Sequence, residues 1–134
     1  MSWAALVTWI VTAGGGFVLL GMWLKHGGMQ QRERGRIGPA VILAHAQLAG
    51  AGLVLWIIYL AIDKSALAWI AFGLLLVVAL IGFTMFGMWA SGRRRPAQAE
   101  GAEQRFPVPV VGLHGVLAAT TLVLVFLTAV GVGS

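Results

Sequence analysis

The chain has 134 residues, of which 60% are hydrophobic and only 10% are charged. This composition excludes most soluble domains, in which about a quarter of the residues are charged. The absence of cysteine excludes disulfides, iron–sulfur clusters and thiolate metal sites. The net charge of +5 does not indicate nucleic-acid binding, because nearly all basic residues lie in two short loops between apolar segments. We therefore expect an integral membrane protein whose first partner is the lipid bilayer.

Four apolar segments are each close to the roughly 20 residues that a membrane-spanning helix needs, and none contains Lys, Arg, Asp or Glu. Backbone groups in lipid must be paired internally, and four spans are too few to close a barrel. The sequence therefore predicts an all-α fold, a four-transmembrane-helix bundle in one membrane domain over 1–134. The predicted helices run, in chain order, over residues 3–24, 37–62, 66–90 and 106–131.

The first predicted helix contains a glycine run at 14–16 but has neither a positively charged start nor a cleavage site after the glycines. We interpret it as a retained helix rather than a signal peptide. It ends in the sequence GFVLLGMW, at 16–23, and a basic loop ending at Arg36 follows. The second predicted helix carries His45, nine residues after Arg36.

The third predicted helix follows a short polar turn at 63–65 and ends in GFTMFGMW, at 82–89, which matches GFVLLGMW at five of eight positions. The fourth carries His114, nine residues after Arg105, so the spacing of the second helix recurs. The chain is therefore interpreted as two tandem helical hairpins, about 1–62 and 66–131, with pseudo-twofold symmetry about an axis along the membrane normal. Equivalent histidines must then lie at similar depths.

Charge and aromatic residues predict the orientation of the bundle. All basic residues except Lys64 lie in the loops after the first and third helices. The positive-inside rule makes these loops cytoplasmic and places both termini outside, and we expect the bacterial inner membrane. Aromatic residues near the two membrane boundaries are interpreted as interfacial anchors: Trp3, Trp56, Tyr59 and Trp69 on the outer side, Trp23 and Trp89 on the inner side.

The paired histidines are the strongest indication of a site. An ionisable side chain roughly 10 Å inside a membrane helix is rare and costly. Two neutral imidazoles facing each other can supply the two axial nitrogens of a haem iron, so His45 and His114 are predicted iron ligands of one haem b per chain. We expect the other ring nitrogens to donate to the carbonyls of Val41 and Val110, one turn earlier in each helix.

Three further features fit a haem. Small residues that leave room for the macrocycle follow each histidine by one and two turns: Ala49, Gly52, Ala118 and Thr121. Gly16 and Gly82 lie near the histidine level and would let a flat ring approach the first and third helices. Arg36 and Arg105 are placed to bind propionates. Each feature also has an ordinary explanation, because small residues serve helix packing and arginines anchor membrane helices.

This arrangement resembles the membrane-anchored cytochrome b families, in which a four-helix core holds haem between histidines of nonadjacent helices, beside helix glycines. The resemblance is carried by the two histidines, Gly16, Gly82 and the two arginines. It implies a small b-type cytochrome that relays electrons to or from quinone or a partner redox subunit, an electron carrier rather than a stand-alone enzyme. Many such proteins hold two haems, and this chain has no second histidine pair in its helices.

Other interpretations of the same residues stay open. The protein can be a structural or assembly subunit of a larger membrane complex, in which the histidines close a hydrogen-bond network or hold another pigment. A second copy of the chain can also be its partner, as a homo-oligomer. A carrier or channel is disfavoured because no span contains a carboxylate. His26, which lies in the first loop and has no equivalent in the other repeat, is interpreted as a solvated loop residue.

Overall fold

The computed structural model describes residues 1–30, 37–95 and 101–132. Its four long helices are α1 (Ser2–Lys25), α2 (Pro39–Ile62), α3 (Ser65–Arg94) and α4 (Val108–Ala129). Short 3-10 turns at Gly28–Gln30 and Ala102–Arg105 lie in the stretches that lead into α2 and α4. All four helices are long and apolar enough to cross a membrane. The predicted all-α bundle of four transmembrane helices is thereby confirmed.

The second helix ends at Ile62 as predicted, and the other helix boundaries differ from the predicted ones by one to four residues. Gly38 caps α2 with an extended backbone, and Pro39 is the first helical residue. Pro107 caps α4 in the same way. Proline suits the start of a helix because its missing N–H would have no partner there. At the other boundary, α3 continues one turn past residue 90, and Arg93 and Arg94 lie in its last turn, where they complement the helix dipole.

The helices form a ring in which sequence neighbours are also spatial neighbours. The most extensive contacts join α1 to α4 and α2 to α3, and the contacts within each predicted hairpin are fewer. α1 and α3 therefore lie opposite each other, and so do α2 and α4. The turn between α2 and α3 is tight, with Asp63 in the left-handed region at φ 48°, a conformation that aspartate tolerates better than most residues.

We call the two ends of the bundle the hairpin end, which carries the α2–α3 turn and the N-terminus, and the basic end, where α1 and α3 finish beside Lys25, Arg93 and Arg105. The main hydrophobic core lies toward the hairpin end. Its largest members are Trp9, Trp56, Tyr59, Leu75 and Val125. The histidines begin the next layer toward the basic end, because each is the seventh residue of a helix that starts there.

The interfacial-anchor interpretation is wrong for several of the aromatic residues. Trp3 and Trp69 are exposed as expected, but Trp56, Trp23, Trp89 and Tyr59 are buried inside the bundle. The Trp56 indole, for example, donates to the carbonyl oxygen of Ser2 at 3.2 Å. In a membrane helix both the lipid-facing side and the core-facing side are apolar, so depth in the sequence does not reveal which tryptophans turn inward.

Candidate cofactor site

The imidazoles of His45 and His114 meet inside the bundle. They belong to α2 and α4, which lie opposite each other, and their ring centres are 6.3 Å apart with an angle of 61° between the planes. Both side chains are half-buried. The structure therefore brings together the two histidines that the repeat relates.

Each imidazole forms a hydrogen bond with the backbone of a neighbouring helix. His45 Nδ1 lies 3.1 Å from the carbonyl oxygen of Val78 in α3. His114 Nδ1 lies 2.9 Å from the carbonyl oxygen of Thr12 in α1. A carbonyl oxygen only accepts, so Nδ1 carries the proton and donates in both bonds. In the neutral ring the lone pair is then on Nε2, which is the atom available to a metal.

The prediction that these nitrogens donate to the carbonyls of Val41 and Val110 is wrong. The observed acceptors, Val78 and Thr12, lie four residues before Gly82 and Gly16. Because a glycine adds no side chain over that turn, the imidazole can reach a carbonyl on the adjacent helix instead of its own. The correction is the same in both repeats.

Gly16 and Gly82 are the surfaces on which the imidazoles lie. A Cβ atom added at Gly16 would be 3.2 Å from His114 Cε1, and one added at Gly82 would be 3.1 Å from His45 Cε1. Both distances are tighter than ordinary van der Waals contact. The glycines are thus at the histidine level, as predicted, and the group packed on them is the histidine ring of the opposite repeat.

The separation of the rings suits a shared metal atom. Among the described residues, neither Nε2 has a hydrogen-bond partner. A metal held linearly between two imidazole nitrogens at about 2.0–2.1 Å each would set the ring centres roughly 6.3–6.5 Å apart. The observed 6.3 Å falls in this range. The angle of 61° between the planes is compatible with this arrangement, because two nitrogens can lie on one line through a metal at any angle between their ring planes.

Two imidazoles alone make a weak metal site. The described residues contain no group of three or more His, Asp or Glu side chains that could hold an ion. A metal bound between His45 and His114 would therefore need further ligands of its own. A tetrapyrrole would bring the remaining ligands of its iron with it, so that two imidazole nitrogens from the chain would suffice. The chemistry of this donor set is thus compatible with haem.

A cavity of about 290 Å³ adjoins one of the rings. It lies between α1 and α4, and His114 is the one residue with a polar side chain in a lining that otherwise consists of Val11, Gly15, Pro109, Val110, Leu113 and Leu117. Pockets for small organic ligands occupy about 300–1,000 Å³. The cavity is thus smaller than a typical pocket, and a macrocycle would enter only with movement of neighbouring side chains or helices.

The small residues predicted to line the macrocycle have the following positions. Gly52 is buried against Trp9, and an added Cβ would lie 3.0 Å from that ring. Thr121 is buried, with its hydroxyl 3.5 Å from the hydroxyl of Thr12. Ala49 packs beside the main core, and Ala118 is half-buried. Gly52 and Thr121 therefore belong to the layer that adjoins the imidazole pair on the side of the hairpin end.

Of the two arginines predicted to bind propionates, one lies among the described residues. Arg105 ends the 3-10 turn before α4, and its side chain is exposed at the basic end. Arg36 lies outside the described residues. Binding of propionates by these guanidinium groups stays a prediction.

His26 belongs to the end of α1. Its Nδ1 lies 2.7 Å from the carbonyl oxygen of Met22, and the side chain is exposed. The same carbonyl also accepts from the backbone N–H of His26 at 3.1 Å, so the ring adds a second hydrogen bond to it. The bond gives His26 a local structural role and agrees with its interpretation as a loop residue.

Sequence reasoning missed a group of buried polar side chains at the basic end. Trp23 and Trp89, the last residues of the repeated GFxxxGMW sequence, are 0% and 6% exposed, and neither indole N–H has an acceptor within the described part of the chain. The Gln104 side-chain nitrogen is also buried and has no acceptor there, and the neighbouring Glu103 is fully buried. The repeat itself was the available signal, because it placed two tryptophans at equivalent positions.

Comparison with known proteins leaves the function to be inferred from these side chains. No protein-family model, curated protein or solved structure matches the chain.

Proposed function

We propose that the protein is a membrane b-type cytochrome in which His45 and His114 would hold the iron of one haem b. The observation that carries the proposal is the imidazole pair: ring centres 6.3 Å apart, with each Nδ1 bonded to a backbone carbonyl and each Nε2 left for a metal. A haem with two axial histidines supplies one-electron oxidation and reduction. The function would be electron relay between partners.

The chain would contribute orientation and ligand strength. The carbonyl oxygens of Val78 and Thr12 accept from Nδ1, which fixes the tautomer and the direction of each ring. Such a hydrogen bond also raises the basicity of the other nitrogen, and a stronger donor favours the more oxidised metal. The apolar side chains beside His114 would lower the local dielectric around the bound group.

The positions of the charges support one orientation of the bundle, and the presence of a single centre favours a partner. With the basic end in the cytoplasm, the imidazole pair lies in the cytoplasmic half of a bacterial inner membrane. One centre in one half of the bilayer does not carry an electron across it. A partner redox subunit, a second copy of the chain or membrane quinone would therefore complete the path.

The test is the absorption spectrum of the purified protein with each histidine replaced. Wild-type protein should carry one haem per chain and show sharp low-spin bands on reduction. His45→Gln and His114→Gln should each lose the low-spin spectrum or most of the haem, and the matched control His26→Gln should keep both. Colourless wild-type protein from haem-sufficient cells, or full low-spin haem in both ligand variants, would contradict the proposal.

A second candidate is a structural role for the same pair. The two imidazole–carbonyl bonds join α4 to α1 and α2 to α3, so each ties one predicted hairpin to the other. Ring centres 6.3 Å apart also fall within the 4.5–7 Å range of packed aromatic pairs. This role predicts colourless protein in which His45→Gln and His114→Gln lower the Tm while the same change at His26 does not.

A further inference from the structure

Among the residues that the structure describes, three buried donors at the basic end have no acceptor. They are the indole N–H groups of Trp23 and Trp89 and the side-chain amide of Gln104. Buried polar groups in natural proteins are nearly always paired, and each exception calls for a partner or a reason. Two of the three occupy equivalent positions of the repeat, so the feature occurs twice in the same sequence context.

The two indoles have the same relation to the imidazole pair. Gly16 packs on His114, and Trp23 follows it by seven residues in α1. Gly82 packs on His45, and Trp89 follows it by seven residues in α3. At about 1.5 Å per residue, each tryptophan lies roughly 10 Å closer to the basic end. α1 and α3 are the opposite helices that flank the pair.

The third donor arrives on a loop that packs between these helices. The 3-10 turn Ala102–Arg105 contacts both α1 and α3. Within it, the Gln104 amide packs on Gly92, three residues after Trp89 in α3. The carboxylate of Glu103 packs on Gly101 of its own turn and accepts from none of the three donors.

The described residues at this end carry more positive than negative charge, because several basic side chains lie there against the one carboxylate of Glu103, and this balance favours an anion. Arg93 lies over the ring of Trp89, 5.4 Å from its centre. Arg105 follows Gln104 directly, and Lys25 ends α1 two residues after Trp23. Indole and amide N–H groups only donate, so their missing partner must be an acceptor. Donors in a positive field bind an oxyanion more strongly than a neutral acceptor.

The geometry points to an oxyanion-binding subsite at the basic end, in which Trp23, Trp89 and Gln104 donate hydrogen bonds to carboxylate or phosphate oxygens. The preferred source is the pair of propionates on one edge of a haem held by the imidazole pair, and to that extent the inference rests on the proposed function. The phosphate of an anionic lipid headgroup offers the same chemistry. The indoles, rather than Arg105 alone, would hold the anion.

The first test follows the indole N–H groups by NMR in protein carrying ¹⁵N-tryptophan, purified in a maltoside detergent. Protein with reduced, diamagnetic haem is compared with protein that holds the dimethyl ester of the same haem. The ring currents of the two macrocycles shift nearby signals equally, so a difference between the two samples reports the propionates. Downfield movement of the Trp23 and Trp89 signals with haem, beyond that seen with the ester, supports the subsite and names propionate as the source. Movement on adding phosphatidylglycerol without haem supports the subsite and names phosphate.

These arms separate the two proposals. Protein that binds no haem but whose indoles respond to phosphatidylglycerol retains the subsite and loses the cytochrome function. Indole signals that differ neither between haem and its ester nor on addition of phosphatidylglycerol overturn the subsite, whether or not haem binds. Assignment of the signals uses Trp23→Phe and Trp89→Phe, each of which removes one peak.

The second test measures haem loss to a scavenging apoprotein. Trp23→Phe and Trp89→Phe keep the aromatic ring and remove the donor, and each should release haem roughly ten- to hundredfold faster than wild type. The matched control is Trp56→Phe, because that indole is equally buried and already bonded to Ser2. Release at the wild-type rate from both test variants, or equal acceleration by the control, overturns propionate binding by the indoles.

Discussion

At the scale of single residues, glycine decides how closely the histidines approach neighbouring helices. Gly16 and Gly82 each lie under an imidazole Cε1 atom, so the ring can donate to a carbonyl one turn away. The other glycines of the repeated sequence, Gly21 and Gly87, have no atom within 4 Å of an added Cβ. The same repeat therefore contains a close-contact glycine and an open one.

Replacing the close-contact glycine should displace the ring. Gly82→Leu should break the bond from His45 to Val78 and lower haem retention at least tenfold, because an added side chain occupies the position of the imidazole. Gly87→Leu is the matched control and should leave retention unchanged. Haem-to-protein ratios after purification measure both, and equal ratios in the two variants would show that Gly82 does not seat the ring.

A second residue-scale prediction concerns stability near the hairpin end. Gly52→Leu should lower the free energy of unfolding by about 1–3 kcal/mol, because the new side chain would overlap Trp9 in a packed core. Gly50→Leu, at a position with no atom within 4 Å, should have little effect. Thermal unfolding in detergent compares them. Equal Tm values for the two variants would mean that Trp9 moves aside without loss of stability.

At the scale of helices, the contacts between the two predicted hairpins are more extensive than the contacts between the two helices of either hairpin. The main contacts run between α1 and α4 and between α2 and α3, and both imidazole–carbonyl bonds follow the same two interfaces. Small residues permit this close packing in a membrane, where apolar side chains gain little by leaving lipid. The bundle is therefore stabilised across the repeats.

Cutting the chain in the turn between α2 and α3 should leave the bundle able to assemble. Residues 1–63 and 64–134, produced together as separate chains, should purify as one complex, because the most extensive helix contacts cross the cut. Affinity capture of a tag on one fragment measures recovery of the other. Fragments that separate in mild detergent would show that the turn, rather than the helix contacts, holds the hairpins together.

At the scale of the whole molecule, sequence patterns predict the bundle well and its interior poorly. The length of apolar runs gives the four spans, and the repeat relates His45 to His114. The acceptors Val78 and Thr12 and the inward turn of Trp23 depend on how each helix is rotated about its axis. Because helices in lipid are apolar on every face, the sequence contains little information about that rotation.

The orientation of the molecule can be tested cleanly because the chain has no native cysteine. Ser65→Cys at the hairpin end should react with a membrane-impermeant maleimide in intact cells, and Gln30→Cys at the basic end should react only after permeabilisation. Both positions are exposed. The reverse pattern of labelling would place the basic end outside, against the positive-inside rule.

The proposed cytochrome requires His45 and His114 to bind the same iron. Pulsed electron paramagnetic resonance of the oxidised haem-loaded protein, with ¹⁵N-histidine as the one label, detects this shared coordination. We predict hyperfine couplings from two histidine nitrogens in wild type and from one histidine nitrogen in His114→Gln. A spectrum with one histidine nitrogen or none in wild type, or with two in His114→Gln, would contradict coordination by both residues.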